Sequence, residues 1–388
     1  MLDFIQINLK KAFVASVELN KRISKLHNFL AVVSEPYIFN NKVRSIPKGC
    51  SVIANNSKPR AAIIFNKNTN VIAIEKLTHR DCAVGLLQNN DEKILIASIY
   101  MDIKLQVKQK FLEDLINFAN QKKYAILIGM DSNAHSEIYG CETNSRGEDL
   151  EEFIINNSLF VENIGTDHTF TAVRGGVKIG SVIDVTMSRG LRSAITDWSV
   201  SPEYNGSDHN TITFKVGLDT SPSEETRHWD DINWIAFKEH LDSKMLFNPR
   251  IINEKKLDKM VESLYKAING SLDKVSPKIV HNYKAKMFSW YTEEHEERSK
   301  LINKLYIRAM RTRKADDLIK YKKEQKLYGK KCRKDRNRSW NKYIDKIKSA
   351  KEISKLNRAL DCEGFKSVNV FERPDGTCTE PGLSLIHI

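Results

Sequence analysis

The stretch AILIGMDSNAHS, residues 125–136, decides how this chain is read. Residues 125–128 form a short apolar run bounded by Gly129, and the run breaks off into Asp131, Asn133 and His135. Its length and β-forming composition mark a buried strand. Residues two apart in an extended chain share a face, so Asp131 and Asn133 project together from the strand's end. That is a place for chemistry, whereas His135 reads as a loop residue facing solvent.

The same device recurs along residues 1–217. FIQIN ends on Asn8, FLAVVSE on Glu35, SVIDV holds Asp184, and GSDHN sets Ser207, Asp208 and His209 before a closing strand, NTITFKV. Further strand-like runs are AAIIF, CAVGLL and KILIASIYM. Helical spacing of apolar residues covers 11–26 and 106–121, and TNSRG introduces a third helix over 148–157. The strand-heavy later part predicts two sheets packed face to face with helices outside, an α/β sandwich, in preference to a doubly wound sheet.

A phosphodiester is shielded by its negative charge, so cleaving it takes a cation on the phosphate, a base for water and a donor for the developing charge. Hard oxygen donors such as Glu35 suit Mg²⁺, with Mn²⁺ as a substitute. Asp131 can take a proton from water, Asn133 can orient that water, and His209 can donate to a phosphate oxygen while Asp184 holds its imidazole.

The ordered set Asn8, Glu35, Tyr100 in ASIYM, Asp131 with Asn133, Asp184, and Ser207-Asp208-His209 resembles the endonuclease/exonuclease/phosphatase superfamily, which includes DNase I and the abasic-site endonucleases. Within it, QINLKKA, GMDSNAHS, NSRGEDLEEFI, HTF, SVIDVTM and GSDHNTITF resemble the apurinic-type endonuclease of jockey-like non-LTR retrotransposons. The resemblance implies a DNase I-like fold and a Mg²⁺-dependent nick in DNA. It makes Glu35 the principal metal ligand with Asn8 beside it, and puts Tyr100 near the scissile phosphate. It makes Asp208 a supporting carboxylate and Ser207 a supporting hydrogen-bonder on the nucleic-acid side, with Thr169 and Phe170 as DNA-groove contacts. Two departures stand out: Met130 separates Gly129 from Asp131, and Lys10 stands where abasic endonucleases carry Asp, which argues against strong abasic-site activity.

Lys and Arg exceed Asp and Glu by 25 to 23 in residues 1–217 and by 37 to 26 in 218–388, so nearly all of the net +13 lies in the second part. Residues 218–233 read as a linker, 234–360 as a basic helical segment, and 361–388 as an irregular tail expected to be truncated. The basic segment resembles the stretch that follows the endonuclease in such retrotransposons, without a YADD-like or FADD-like polymerase motif. Interleaved Lys, Arg, Tyr and Trp suit DNA, with RNA as a further candidate partner; a solvated helical face explains the charge equally well. Six scattered cysteines without a C-x-x-C pair suggest neither zinc nor disulfides, and no apolar run approaches membrane length. An intracellular protein, nuclear when acting, is expected. Two other readings share these residues: a phosphomonoesterase of the same fold, and a catalytically silent nucleic-acid-binding protein.

Overall fold

A computed structural model describes residues 1–347, apart from 90–91, 108–109, 175–176, 193, 219–224, 227–231, 245–253, 277–278, 281–284 and 313, and beyond them 352, 353 and 356. Two six-stranded sheets dominate. From edge to edge, the first runs Ile195–Ser201, Thr211–Val216, Leu2–Asn8, Phe29–Ser34, Ala61–Asn66 and Cys50–Ala54. The second runs Phe160–Val161, Asp184–Arg189, Ala125–Asp131, Glu92–Tyr100, Cys82–Asn89 and Val71–Ala73. Each has one parallel pair at its centre and antiparallel neighbours around it. The predicted α/β sandwich is the fold. Sequence patterning missed the short strands Cys50–Ala54 and Val71–Ala73, the strand Ile195–Ser201, and the ribbon of Phe170–Arg174 with Val177–Ser181.

The alternation of side chains explains where the site lies. In Leu2–Asn8, Phe4 faces the other sheet while Ile5 and Ile7 face helix α1 (Phe13–Ile23). In Ala125–Asp131, Leu127 faces inward while Ile126, Ile128 and Met130 meet helices α2 (Lys110–Lys122) and α3 (Ser145–Asn156). With a period of two, Gln6 and Asn8 continue the inner face of one sheet and Gly129 and Asp131 that of the other. The layer between the sheets therefore grades along the strands. It starts with Phe4, Leu30, Ile96 and Leu127, passes through Gln6, Ser98 and Thr186, and ends in charged groups. Gln6 ties the sheets, donating to the carbonyl of Val185 at 3.2 Å and accepting from Thr186 Oγ1 at 2.9 Å. The sheets close tightly here, because a Cβ on Gly129 would come within 2.4 Å of Val32.

The chain divides into one unit of residues 1–221 with 284–388 and a second of 222–283, which holds helices α4 (Trp234–Lys244) and α5 (Glu254–Val275). The sequence placed a boundary at 217 and a single helical segment over 234–360. The structure instead packs α6 (Glu293–Thr312) and α7 (Ala315–Ile344) on the unit that holds the sandwich. The reason is a second apolar face on α1: Phe13 and Val17, with Tyr204, are buried against Ile302, Ala309, Tyr321, Tyr328 and Cys332. Buried Glu18 is held there by Lys21 Nζ at 2.8 Å and Tyr328 Oη at 2.7 Å, and by Ser299 Oγ. The tail 361–388 and most of the expected linker lie outside the described residues. Among the described residues no helix is long and apolar enough to cross a membrane.

Candidate active site

The strand ends converge as their register requires. Asp131 pairs across the second sheet with Asp184 on one side and Tyr100 on the other. Asn8 reaches over from the first sheet, its Nδ2 donating to Asp131 Oδ2 at 2.7 Å. His209 Nδ1 lies 2.8 Å from Asp184 Oδ2, and both side chains are buried. Asp131, Asp184 and His209 bring ligand-type atoms within 4.8 Å of one another, close enough to hold a cation between them.

Burial and the charge of Asp184 push the Asp131 carboxyl up to about 7, against the opposing pull of His209 and the hydrogen bond from Asn8. Burial alone would drive a proton off His209. The carboxylates of Asp184, Asp131 and Asp208 overcome it and raise the imidazole to about 9. At neutral pH the site thus holds a charged imidazolium beside a carboxylate poised to change its protonation. Burial, then Glu35 and Asp131, raise the Tyr100 phenol to about 12, so it remains a donor.

Glu35 follows the strand next to Asn8 and has a positive φ of 44°. Its Oε1 lies 2.9 Å from Lys11 Nζ, and Asp208 pairs with Lys10 Nζ at 2.5 Å. Asn133, at φ 47°, donates from Nδ2 to the carbonyl of Met101 at 2.9 Å, which fixes it beside Asp131. The Phe170 ring meets His209 edge-on, with centroids 5.1 Å apart.

Two residues expected on the nucleic-acid side are held by hydrogen bonds within the protein. Thr169 is fully buried, and its Oγ1 accepts the backbone N–H groups of Ile183 and Asp184, each at 3.0 Å. It anchors the start of the Asp184 strand and cannot reach a groove. Ser207 Oγ donates to the carbonyl of Asn8 at 2.7 Å and accepts from the His209 N–H at 3.2 Å, so it locks the histidine loop to the first strand.

Sequence reasoning missed Arg60. Its guanidinium grips Asp81, lies 2.5 Å from Asp102 Oδ2 and covers the Tyr100 ring at 4.8 Å, while its carbonyl accepts the Glu35 N–H at 2.7 Å. It thereby holds both Tyr100 and Glu35. Only the pairing of distant segments reveals this role. Arg146 was also missed; it ties the loop after Asp131 through the carbonyls of Ser132 and Asp102, each at 3.1 Å.

Residues 94–213, which include Tyr100, Asp131, Asn133, Asp184 and His209, match a family model described as endonuclease-reverse transcriptase. Over those residues the sandwich is similar to the endonuclease part of that family. A 115 kDa protein of the type-1 retrotransposable element R1DM of Drosophila melanogaster is 24% identical over 314 residues, 76% of this chain and 30% of that protein. A Pol polyprotein of the type-1 element R1 of Bradysia coprophila is 27% identical over 259 residues, 60% of this chain and 25% of that one. The chain thus spans less than a third of the length of these relatives. Among solved structures, the endonuclease domain of TRAS1, a telomere-specific non-LTR retrotransposon, aligns over 56% of this chain and all of its own, at 26% identity and a TM-score of 0.49.

Proposed function

We propose that this chain is a divalent-cation-dependent endonuclease that nicks DNA, the endonuclease part of a non-LTR retroelement polyprotein, working in the nucleus where such a target lies. The observation that carries the reading is the buried Asp184–His209 pair set against Asp131 where both sheets end. The donors fit a hard cation. Glu35 and Asn8 present oxygen atoms from adjacent strand ends, and the partner of Glu35 is a half-exposed lysine that can swing away. Bound there, Mg²⁺ or Mn²⁺ would neutralise charge on the phosphate.

The chain's own groups supply the rest. Asp131 accepts a proton from the attacking water as the water oxygen bonds to phosphorus and the opposite phosphorus–oxygen bond breaks. Asn8 and Asn133 keep the carboxylate oriented, Asn8 by its side chain and Asn133 by its backbone N–H at 3.3 Å. His209, charged because Asp184 holds its Nδ1, donates to a non-bridging oxygen as negative charge builds, and the protonated Tyr100 gives a second donor. The basic helices α6 and α7 are offered to a polyanion, DNA first and RNA as competitor.

Supercoiled plasmid incubated with the purified chain should relax to open circles with Mg²⁺ and stay supercoiled with EDTA. Release of inorganic phosphate from phosphomonoesters, with the plasmid intact, would replace this reading with the phosphatase one.

A further inference from the structure

The turn that follows the first strand is unusual in its backbone and in what it carries. Lys10 and Lys11 both adopt left-handed conformations, φ 50° and 52°, although neither is glycine. Such residues are strained and persist only where their surroundings fix them. Here the site does the fixing. The Lys10 N–H donates to Asn8 Oδ1 at 2.7 Å and the Lys11 N–H to the carbonyl of Glu35 at 2.8 Å. The result aims one ammonium at Asp208 and the next at Glu35, from the two sides of Asn8.

These ion pairs do little for stability. The lysine side chains are 62% and 49% exposed, and solvent screens pairs as open as these. Charge balance gives them a purpose. Four carboxylates converge here, Glu35, Asp131, Asp184 and Asp208, and a polyanionic substrate has to approach them. With His209 charged and Asp131 ionised, the two lysines leave a single negative charge in excess; a divalent cation on Glu35 would turn that into one positive charge, the complement of a phosphodiester. Lys11, which now faces Glu35, would lose that partner once the carboxylate held a cation, and its ammonium would be free to meet a substrate phosphate.

We propose that Lys10 and Lys11 form a two-point phosphate clamp on the DNA strand. Each lysine rests on a site carboxylate in the free protein and transfers to a backbone phosphate when DNA and cation bind. This rests on the DNA reading above and adds two binding residues that the resemblance did not supply.

Lys10→Met and Lys11→Met test it, since methionine is unbranched like lysine, lacks the charge and makes the same demand on the backbone. Duplex binding is measured against salt in Ca²⁺, on a duplex too short to be nicked without detection. Each variant should flatten the slope of log affinity against log salt by about one, and the double variant by about two, because each phosphate contact releases about one counterion. Lys11→Arg should keep the wild-type slope. Mn²⁺ binding to the DNA-free protein, read by paramagnetic resonance, should be as tight in Lys11→Met as in wild type or tighter, because a competitor for Glu35 has gone. Unchanged slopes in variants of a wild type that does bind duplex would overturn the clamp and leave the nuclease standing. Weakened Mn²⁺ binding with an unchanged slope would make Lys11 a mere support for Glu35. A wild type that binds no duplex would overturn both readings.

Discussion

Asp184→Asn isolates the group on which the proposed chemistry turns. The substitution keeps shape and removes the charge that holds the His209 proton 2.8 Å away. In the intact site His209 titrates at about 9 instead of the usual 6.5. That difference corresponds to roughly 3 kcal/mol of preference for the charged form. Without the carboxylate, burial dominates, and the midpoint should fall to 6.5 or below. At pH 7.5 the charged fraction would drop from nearly all to about a tenth or less, which removes about tenfold from nicking. Loss of the tether that orients the ring should bring the total to roughly a hundredfold, the scale of a lost transition-state donor. Two assays check it: an NMR titration of the His209 ring in the metal-free protein, and the pH profile of single-turnover nicking, whose basic limb should move from near 9 to below 7. Stability carries a matching signature. A folded pKa above the unfolded one stabilises the native state fully below about 6.5, and the contribution fades as pH rises through about 9. The variant should therefore be weakest relative to wild type near pH 6 and recover toward pH 10. A His209 midpoint that stays near 9 in Asp184→Asn would refute the reasoning.

Glu35→Gln should abolish plasmid nicking and weaken Mn²⁺ binding to the DNA-free protein while leaving the unfolding midpoint nearly unchanged; full activity of the wild type in EDTA would sink the cation's role. Asp131→Asn should lose a hundredfold or more in rate yet gain stability at pH 8. The folded carboxyl is raised to about 7, so its ionisation costs native stability progressively between about pH 4 and 7, and thermal melts at pH 5 and 8 measure this. Phe170→Ala should change the distribution of nick positions along a long duplex, since Phe170 opens the ribbon beside His209; an identical map would remove the ribbon from target selection. Tyr328→Phe should cost about 1–3 kcal/mol in urea unfolding by taking a donor from buried Glu18, with nicking little changed.

The sandwich was legible because its strands carry runs of Ile and Val between turn formers, and the sites because polar residues interrupt those runs at their ends. Asn8, Asp131 and Asp184 could be read this way, since a period of two fixes which face each occupies. Thr169 could not. A threonine before a strand looks the same whether its hydroxyl meets DNA or caps two N–H groups of another strand. Arg60 was hidden for a related reason: its value comes from Asp81, Asp102 and Tyr100, which only the folding of distant segments brings to it. The division of the basic half escaped because Phe13 and Val17 on α1 look like core residues of the sandwich, and nothing local says that their cover arrives from residues near 302 and 328.

The clasp of α6 and α7 on α1 also sets a timetable. Glu18 finds Ser299 and Tyr328 across sequence separations of 281 and 310 residues. At a ribosomal pace of roughly 5–20 residues per second, the sandwich strands are complete on the order of ten seconds before Ile344 is made. During that interval Phe13, Val17 and Tyr204 face water and Glu18 waits for its partners. The nascent chain therefore presents a sticky helix beside a finished candidate site. Premature termination anywhere between the last sandwich strand and α7 would release a polypeptide with its candidate site in place and its α1 flank bare.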